Sequence, residues 1–399
     1  MQPAIHLIVA AVGLLLIAAT LPLLLELLAL SVAASLPLPQ SSPSWSHSIK
    51  LAVIIPAHNE ERLITQCIAS LGAATQIFVI AHNCSDATAQ RATDAGATAL
   101  VLSDSVGGKG TALDFGFRHA VAAGADVLLV IDADSIAGPD LVRKVAAAFA
   151  GGAKAVQCRY EVANPNANRR TRLAALAFLG MNVLRPRGRH RLGLSCGIFG
   201  NGFALSAETL SKVPYTPNSL VEDLEYHLHL IRAGIRVSFL NDAAVFGEMP
   251  ENTTAASSQR ARWEGGRILM RRLWTRPLAI EVLRGRLQML EPLLDLLALP
   301  LATEAAILLL ILTAGLAAHI LWLAFYALIG GAAIALYIVV AAMLSPEPGA
   351  TFGALASVPA FLLWKITMIP RTRRAARTDA AWVRTQRNSE SEAPKGPLV

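Results

Sequence analysis

Charged residues are scarce in this chain of 399 residues. Asp, Glu, Lys and Arg make up 16% of it, whereas about 25% is usual in soluble domains. The four cysteines lie far apart and form no C-x-x-C pair, so the sequence indicates neither a zinc site nor a disulfide framework. With 54% apolar residues, the composition excludes a disordered chain and a coiled coil. It is typical of a membrane protein.

Two stretches have almost no charge. Residues 4–38 contain Glu26 as their only charged residue, and residues 305–344 contain none. Because about 20 apolar residues span a bilayer, we predict one membrane anchor within 1–40 and two membrane helices within 303–344. The first run is longer than the apolar core of a signal peptide, and no Lys or Arg precedes it, which favours an uncleaved anchor. The turn between the later helices is expected at Gly330-Gly331 or near 319–322.

Basic residues predict the orientation. Residues 41–292 hold 27 of the 35 Lys and Arg, and the tail from residue 365 holds the other eight. Both parts are therefore expected in the cytoplasm, in a multi-pass protein of the cell inner (cytoplasmic) membrane. The remaining predicted segments are a linker at 41–49, an interfacial amphipathic segment at 276–302, an interfacial or third membrane helix at 352–370 and a basic tail at 371–399.

Short apolar runs alternate with helical patterns in residues 50–275. The predicted strands cover 51–55, 77–81, 99–102 and 127–131, and Pro56 is expected to end the first. This alternation predicts an α/β domain with a mainly parallel sheet. Ligands bind beyond the carboxyl ends of such strands, and the polar clusters of the sequence follow the predicted strands.

Two of these clusters are suited to a phosphorylated ligand. Asp132 and Asp134 could hold Mg²⁺ or Mn²⁺ while a diphosphate supplies further oxygens; the plain alternative is a solvated turn. The loop 107–110 either brings backbone N–H groups and the Lys109 ammonium to a phosphate or forms an ordinary turn.

Later motifs also allow two interpretations. Glu222 and Asp223 precede a helical pattern, where they complement the helix dipole or supply a general base for an acceptor hydroxyl. The segment 259–263 belongs to an interfacial helix or binds a departing diphosphate through Arg and a sugar through Trp. Seven arginines at 169–191 predict a membrane-facing or substrate-gating patch. Nucleic acid is not an expected partner, since no recognised binding module accompanies the charge.

The order of these motifs resembles that of the membrane-bound family 2 glycosyltransferases, which include cellulose, chitin and hyaluronan synthases and ceramide glucosyltransferase. The matching elements are V-I-I-P-A-H-N-E-E at 53–61, N-C-S-D at 83–86, G-K-G at 108–110, D-A-D at 132–134, E-D at 222–223 and Q-R-A-R-W at 259–263. The resemblance implies a GT-A fold over about 50–275, a nucleotide-sugar donor (usually a UDP-sugar), a divalent metal, Mg²⁺ or Mn²⁺, and inversion at the sugar.

The resemblance also implies roles for single residues. Asp134 resembles the metal ligand and Asp223 the general base. The implied donor-binding residues are Pro56, Ala57, Glu60, Asp86, Lys109 and Asp132. The residues implied to hold the diphosphate or the acceptor are Gln259, Arg260, Arg262, Trp263, Gly200 and Asn201.

One position departs from the family pattern. Many members carry an Asp pair before the N-C-S element, one of which binds uracil, but this chain has Ala81 and His82 there. A donor other than a UDP-sugar therefore stays open. We expect an inverting hexosyltransferase acting on a hydroxyl of a glycan or lipid acceptor at the cytoplasmic membrane face, in polysaccharide or glycolipid synthesis.

Expected partners are the donor, the acceptor and membrane lipid, with a homo-oligomer or an export-complex partner left open. The alternative function is a catalytically silent membrane scaffold of a polysaccharide-export complex. Retention of Asp132, Asp134, Asp223 and Trp263 favours the enzyme.

Overall fold

The computed structural model describes residues 2–38, 49–72, 76–216, 221–358, 371–372 and 374. Its strands are β1 Leu51–Ala57, β2 Gln76–His82, β3 Thr98–Leu102, β4 Val127–Val130, β5 Ser135–Ala137, β6 Ala155–Val162, β7 Phe203–Ser206 and β8 Val237–Gly247. Its α-helices are α1 Gln2–Ser35, α2 Ile64–Ser70, α3 Thr88–Asp94, α4 Lys109–Ala122, α5 Leu141–Ala150, α6 Arg169–Leu179, α7 Arg185–Arg191, α8 Ala207–Lys212, α9 Glu222–Arg232, α10 Thr253–Leu283, α11 Leu290–Leu297, α12 Leu301–Ala317, α13 Leu321–Met343 and α14 Pro348–Ala354.

The strands form one mixed sheet in the order β3-β2-β1-β4-β7-β6-β8-β5. β1 is parallel to β2 and β4, and β2 is parallel to β3. β7 is antiparallel to β4 and β6, and β5 is antiparallel to β8. The predicted α/β domain with a mainly parallel sheet is confirmed, and the antiparallel strands β5 and β7 are an addition that the alternating pattern did not predict.

The prediction that Pro56 ends the first strand is wrong. β1 continues to Ala57, and Pro56 lies opposite Ile80 of β2. The pairing of β1 with β4 extends only to Ile54, so Pro56 has a neighbouring strand on one side alone. A residue without an N–H is tolerated at such an edge position.

Buried side chains alternate between the two faces of the sheet, as the period of a strand requires. Val53 and Ile55 of β1 pack in a core with α2 and α5. Ala52 and Ile54 pack in a second core with α4 and α9. Helices therefore cover both faces, which leaves the carboxyl ends of β1, β2 and β4 as the open edge where a ligand can bind.

Among the residues that the structure describes, two helices are long and apolar enough to cross a membrane: residues Ala4–Ser35 of α1, and α13. α11 and α12 would add a third if this pair, bent by 78°, is one span. The break between α12 and α13 falls at 318–320, so the turn lies near His319, and Gly330 and Gly331 lie inside α13. Residues 359–370 of the predicted segment 352–370 lie outside the described residues.

α1 packs along the α/β domain as well as against α13. Leu27 and Leu30 are buried in a cluster that also contains Leu176 of α6 and Tyr337 of α13. α7 packs closely against α1 at Gly188, where an added Cβ would lie 2.6 Å from the carbonyl oxygen of Leu30. Glycine thus allows the two backbones to touch at this crossing.

Candidate active site

A cavity of about 2330 Å³ extends from the carboxyl ends of β1 and β4 to α1, α10 and the bend between α11 and α12. Most of the residues that the sequence analysis singled out line it: Pro56, Ala57, Glu60, Lys109, Asp132, Asp134, Gly200, Asp223, Gln259, Arg260, Arg262 and Trp263. In the described part of the chain, Asp86 and Asn201 are not among its lining residues. Residues from five separate motifs therefore meet in one place.

Asp132 and Asp134 occupy the turn after β4, a strand buried along its whole length. The backbone N–H of Asp132 donates to Oδ1 of Asn201 at 3.1 Å, and Nδ2 of Asn201 donates to Oγ of Ser135 at 2.8 Å. Asn201 is 1% exposed. Its side chain therefore fixes the conformation of the turn that contains Asp132 and Asp134.

Lys109 connects three parts of the cavity wall. Its Nζ donates to Oδ1 of Asp132 and, at 2.5 Å, to the carbonyl oxygen of Gly200. Burial by itself lowers the pKa of Lys109, but the charges of Asp132, Glu222 and Asp223 outweigh this and leave the pKa above its usual value. Lys109 is therefore a cation that is held between carboxylates.

Glu222 and Asp223 are the first two residues of α9. Burial raises the pKa of Asp223, and burial together with the Asp223 charge raises the pKa of Glu222 to about 7. Lys109 opposes both shifts. One carboxyl of the pair thus stays ready to take up a proton near neutral pH, as a general base must.

The loop before β7 reaches the Asp223 carboxylate through a glycine. Gly200 has a φ of +76°, and an added Cβ would lie 3.2 Å from Oδ2 of Asp223. Gln157, fully buried in β6, fixes this loop: its Nε2 donates to the carbonyl of Asn201 at 2.8 Å, and its Oε1 accepts from the N–H of Phe199 at 3.0 Å. The sequence analysis missed Gln157, although an uncharged polar side chain inside a buried strand is a signal for such a role.

The segment 259–263 lies in the first half of α10. The charge of Arg262 lowers the pKa of Glu222, and both residues line the cavity. The Trp263 ring is 39% exposed, and its centroid lies 6.3 Å from that of Phe178, which makes an edge contact with Tyr160 at 4.8 Å. These aromatic neighbours were not predicted. They give the cavity a surface on which a sugar ring can stack.

The side chains at the end of β2 and in the loop after it are not arranged like a site in which an acid binds the donor. Asp86 accepts from the N–H groups of Glu61 at 3.1 Å and Thr88 at 3.0 Å, and it orders the start of α3. His82 lines the cavity and contacts Oγ of Ser105 through Nε2 at 2.6 Å. Burial lowers the pKa of His82, so a neutral imidazole stands where many family members have an acid.

A buried ion network joins α1 to the catalytic domain. Arg185 and Arg189 of α7, 5% and 7% exposed, both bind the carboxylates of Glu26 and Asp295 at 2.5–2.9 Å. We call the network the anchor cluster; its members are Glu26, Arg185, Arg189, Arg267, Glu291 and Asp295. Arg185 and Arg189 are neutralised inside the protein and line the cavity. The membrane-facing alternative of the predicted patch is therefore wrong for these two residues, and the substrate-gating alternative stays a prediction.

Asp132 and Asp134 are the carboxylates placed to hold a divalent metal at this cavity. Among the described residues there is no group of three or more His, Cys, Asp or Glu side chains that could hold a metal. A carboxylate turn of this kind fits Mg²⁺ or Mn²⁺ when phosphate oxygens and water supply the remaining ligands, since these ions prefer oxygen.

Comparison with known proteins agrees with this arrangement. The family model described as Glycosyltransferase like family 2 matches residues 48–266. Probable glycosyltransferase YdaM of Bacillus subtilis (strain 168) is 25% identical over 244 residues, which are 56% of this chain and 57% of that protein. The match thus spans little more than half the length of this relative. Protein RfbJ of Shigella flexneri is 38% identical over 91 residues, 22% of this chain and 67% of RfbJ.

A solved structure shares the fold over nearly the whole chain. It is the mannosyltransferase PcManGT from Pyrobaculum calidifontis in complex with GDP-Man and Mn²⁺, 17% identical, with 94% of this chain and 97% of that one covered and a TM-score of 0.53. The predicted GT-A fold is thereby confirmed. On the match to more than half of its residues, the chain belongs to glycosyltransferase family 2, whose members transfer a sugar from a nucleotide-sugar.

Proposed function

We propose that this enzyme transfers a hexose, with inversion, from a nucleotide-sugar to a hydroxyl acceptor at the cytoplasmic face of the inner membrane. The observation that carries the proposal is the half-buried Asp223 carboxyl, which lies with Lys109 beside Gly200 in the cavity that Asp132 and Asp134 also line. A carboxyl with a raised pKa, beside a turn suited to a metal and a diphosphate, meets both requirements of direct displacement.

The residues of the cavity divide the chemistry between them. Asp223 takes the proton of the acceptor hydroxyl as its oxygen attacks the anomeric carbon, and the bond to the diphosphate breaks on the opposite face of the sugar. Arg262 and Arg260 stabilise the charge that develops on the leaving diphosphate. A divalent metal held by Asp134 would supply further charge neutralisation there.

We propose two candidates for the nucleotide of the donor. The family resemblance favours a UDP-sugar, while the neutral His82 in place of an acid, and the GDP-Man bound by PcManGT, support a GDP-sugar as the second candidate. We propose Mn²⁺ or Mg²⁺ as the metal, and a role in polysaccharide or glycolipid synthesis.

The test is nucleotide release from a panel of UDP- and GDP-sugars by membranes that contain the full chain, with Mn²⁺ or Mg²⁺ added. Release from one donor is expected, and Asp223→Asn should reduce it by about 10²–10⁴-fold while donor binding persists, because a positioned base contributes about that much. The matched control is Asp242→Asn, which removes an exposed carboxylate of β8. Equal loss in both variants would remove Asp223 as the base, and no release from any donor would reject the proposal.

A further inference from the structure

One side of the cavity wall consists of aliphatic side chains. α1 contributes Leu23 and Leu27, and the bend between α11 and α12 contributes Leu296, Leu299 and Leu301. We call this surface the apolar end. It is continuous with the space beside Asp223, because one cavity includes both.

The helices that build the apolar end also have outer faces suited to a bilayer. On α1, Leu7 and Leu15 are more than 70% exposed, and on α13, which contributes Tyr337 to the same cavity, so is Leu321. A bilayer would cover such side chains. Hydrocarbon therefore borders the protein at the helices that line the apolar end.

The anchor cluster, which lies beside the apolar end, has balanced charges. Arg185, Arg189 and Arg267 face Glu26, Glu291 and Asp295, and each guanidinium has a carboxylate within 3.2 Å. Three cations matched by three anions leave no surplus positive charge for an anionic headgroup. Aliphatic side chains, in turn, give a sugar chain neither hydrogen bonds nor stacking.

We propose, on the basis of the proposed function, that the acceptor is a neutral membrane lipid with a free hydroxyl. Its hydrocarbon chain lies against the apolar end, and its hydroxyl reaches Asp223. The hydroxyl proton moves to the Asp223 carboxylate, the lipid oxygen bonds to the anomeric carbon, and the bond from that carbon to the diphosphate breaks with its electron pair on the nucleoside diphosphate. The products are a neutral glycolipid and the nucleoside diphosphate.

The test uses the purified full chain in phosphatidylcholine vesicles, with the labelled donor that the panel identifies. Separate preparations contain diacylglycerol, a ceramide, a polyprenyl phosphate or a soluble oligosaccharide. Diacylglycerol or ceramide should raise label in the organic extract by about tenfold or more over phosphatidylcholine alone, a preference that apolar contacts can supply.

Two neighbouring leucines provide a matched pair of variants. Leu299 is half-buried and lines the cavity, whereas Leu297, two residues earlier, is 40% exposed and is not among the lining residues. Leu299→Trp should raise KM for the lipid by about tenfold, because the indole occupies space that the chain needs. Leu297→Trp should not, and donor binding should be the same in both.

Each of the other possible results would contradict one part of the proposal. Label only with the polyprenyl phosphate would overturn the neutral headgroup, and label only on the oligosaccharide, or on neither neutral lipid, would overturn the lipid acceptor. Equal KM in the two variants would remove the apolar end as the lipid site. If the wild type releases nucleotide from the donor by hydrolysis but labels no lipid, the inference fails while the proposed function stands; if it releases none, both fail.

Discussion

Two groups of charged residues lie along the same cavity and differ in the balance of positive and negative charge. The catalytic cluster, defined as Lys109, Asp132, Asp134, Glu222, Asp223 and Arg262, has four carboxyls and two cations. The anchor cluster has three of each. Excess negative charge raises carboxyl pKa values and suits a metal, whereas a matched set is electrically satisfied and holds elements together.

The difference in charge balance corresponds to a difference in proposed role: the catalytic cluster takes part in the reaction, and the anchor cluster holds structural elements together. In the catalytic cluster, burial and then the charge of Asp223 raise the pKa of Glu222 to about 7. In the anchor cluster the single charged residue of the first apolar stretch, Glu26, meets two guanidiniums of α7. A charge in an otherwise apolar membrane helix is expected to have such a partner. Loss of charge should therefore reduce catalysis in one cluster and stability in the other.

The largest effect is expected for Asp134→Asn. If the excess negative charge of the catalytic cluster binds a metal, the variant should lose transfer by about 10³-fold, since charge stabilisation by a metal is worth several kcal/mol. The unfolding temperature should stay near that of the wild type. Transfer rates at increasing Mn²⁺ concentration test this. A rate and a metal response like those of Asp242→Asn would contradict it.

Arg189→Met should lower the stability of the protein and leave donor binding unchanged. It removes the guanidinium that pairs with Glu291 and one of those that pair with Glu26 and Asp295, which costs on the order of 3 kcal/mol when a buried ion pair is broken. We therefore expect a lower thermal unfolding midpoint in detergent, with donor affinity unchanged in the protein that remains folded. Arg191→Met, an exposed arginine on the same helix, is the control. Equal midpoints for the two variants would show that the anchor cluster contributes no stability.

The sequence allowed residues that line one cavity to be singled out because they lie on short local motifs, and their catalytic roles stay predictions. Asp132, Asp134 and Asp223 each follow or begin an element whose pattern is readable, and the family resemblance supplied their order. The side chains that hold them were harder to predict: Gln157 was not predicted, and Asn201 was predicted in a different role. Both act through contacts between segments more than 40 residues apart in the chain, which no local period reveals.

The anchor cluster was misread for a related reason. Seven arginines in one stretch predicted a charged surface, but the partners of Arg185 and Arg189 lie in α1 and α11, more than 100 residues away. Only the folded arrangement shows that these charges are paired. The antiparallel strands were missed because β5 has three residues and β7 has four, too few to show a period.

The pH dependence of transfer should report the carboxyl pair of the catalytic cluster. Because burial raises the pKa of Asp223, and burial and the Asp223 charge raise that of Glu222 to about 7, the pair holds protons at low pH, and transfer should increase with pH as the pair loses them. Glu222→Gln removes one of the two charges and should move the inflection to lower pH. Profiles of kcat against pH test this, and an unshifted inflection would show that the two carboxyls do not interact.

The smallest effect is expected where α7 crosses α1. In Gly188→Ala the new methyl group would lie 2.6 Å from the carbonyl oxygen of Leu30, so the helices must separate, at about 1–3 kcal/mol for such overpacking. Gly331→Ala in α13 is the matched control, since no atom lies within 4 Å of its added Cβ, and alanine is the better helix former by about 1 kcal/mol. We expect a lower unfolding midpoint for Gly188→Ala and an equal or higher one for Gly331→Ala.

Because the crossing lies beside the anchor cluster, combining Gly188→Ala with Arg189→Met should destabilise the protein by less than the sum of the two single effects. Full additivity would mean that the crossing and the ion network act independently.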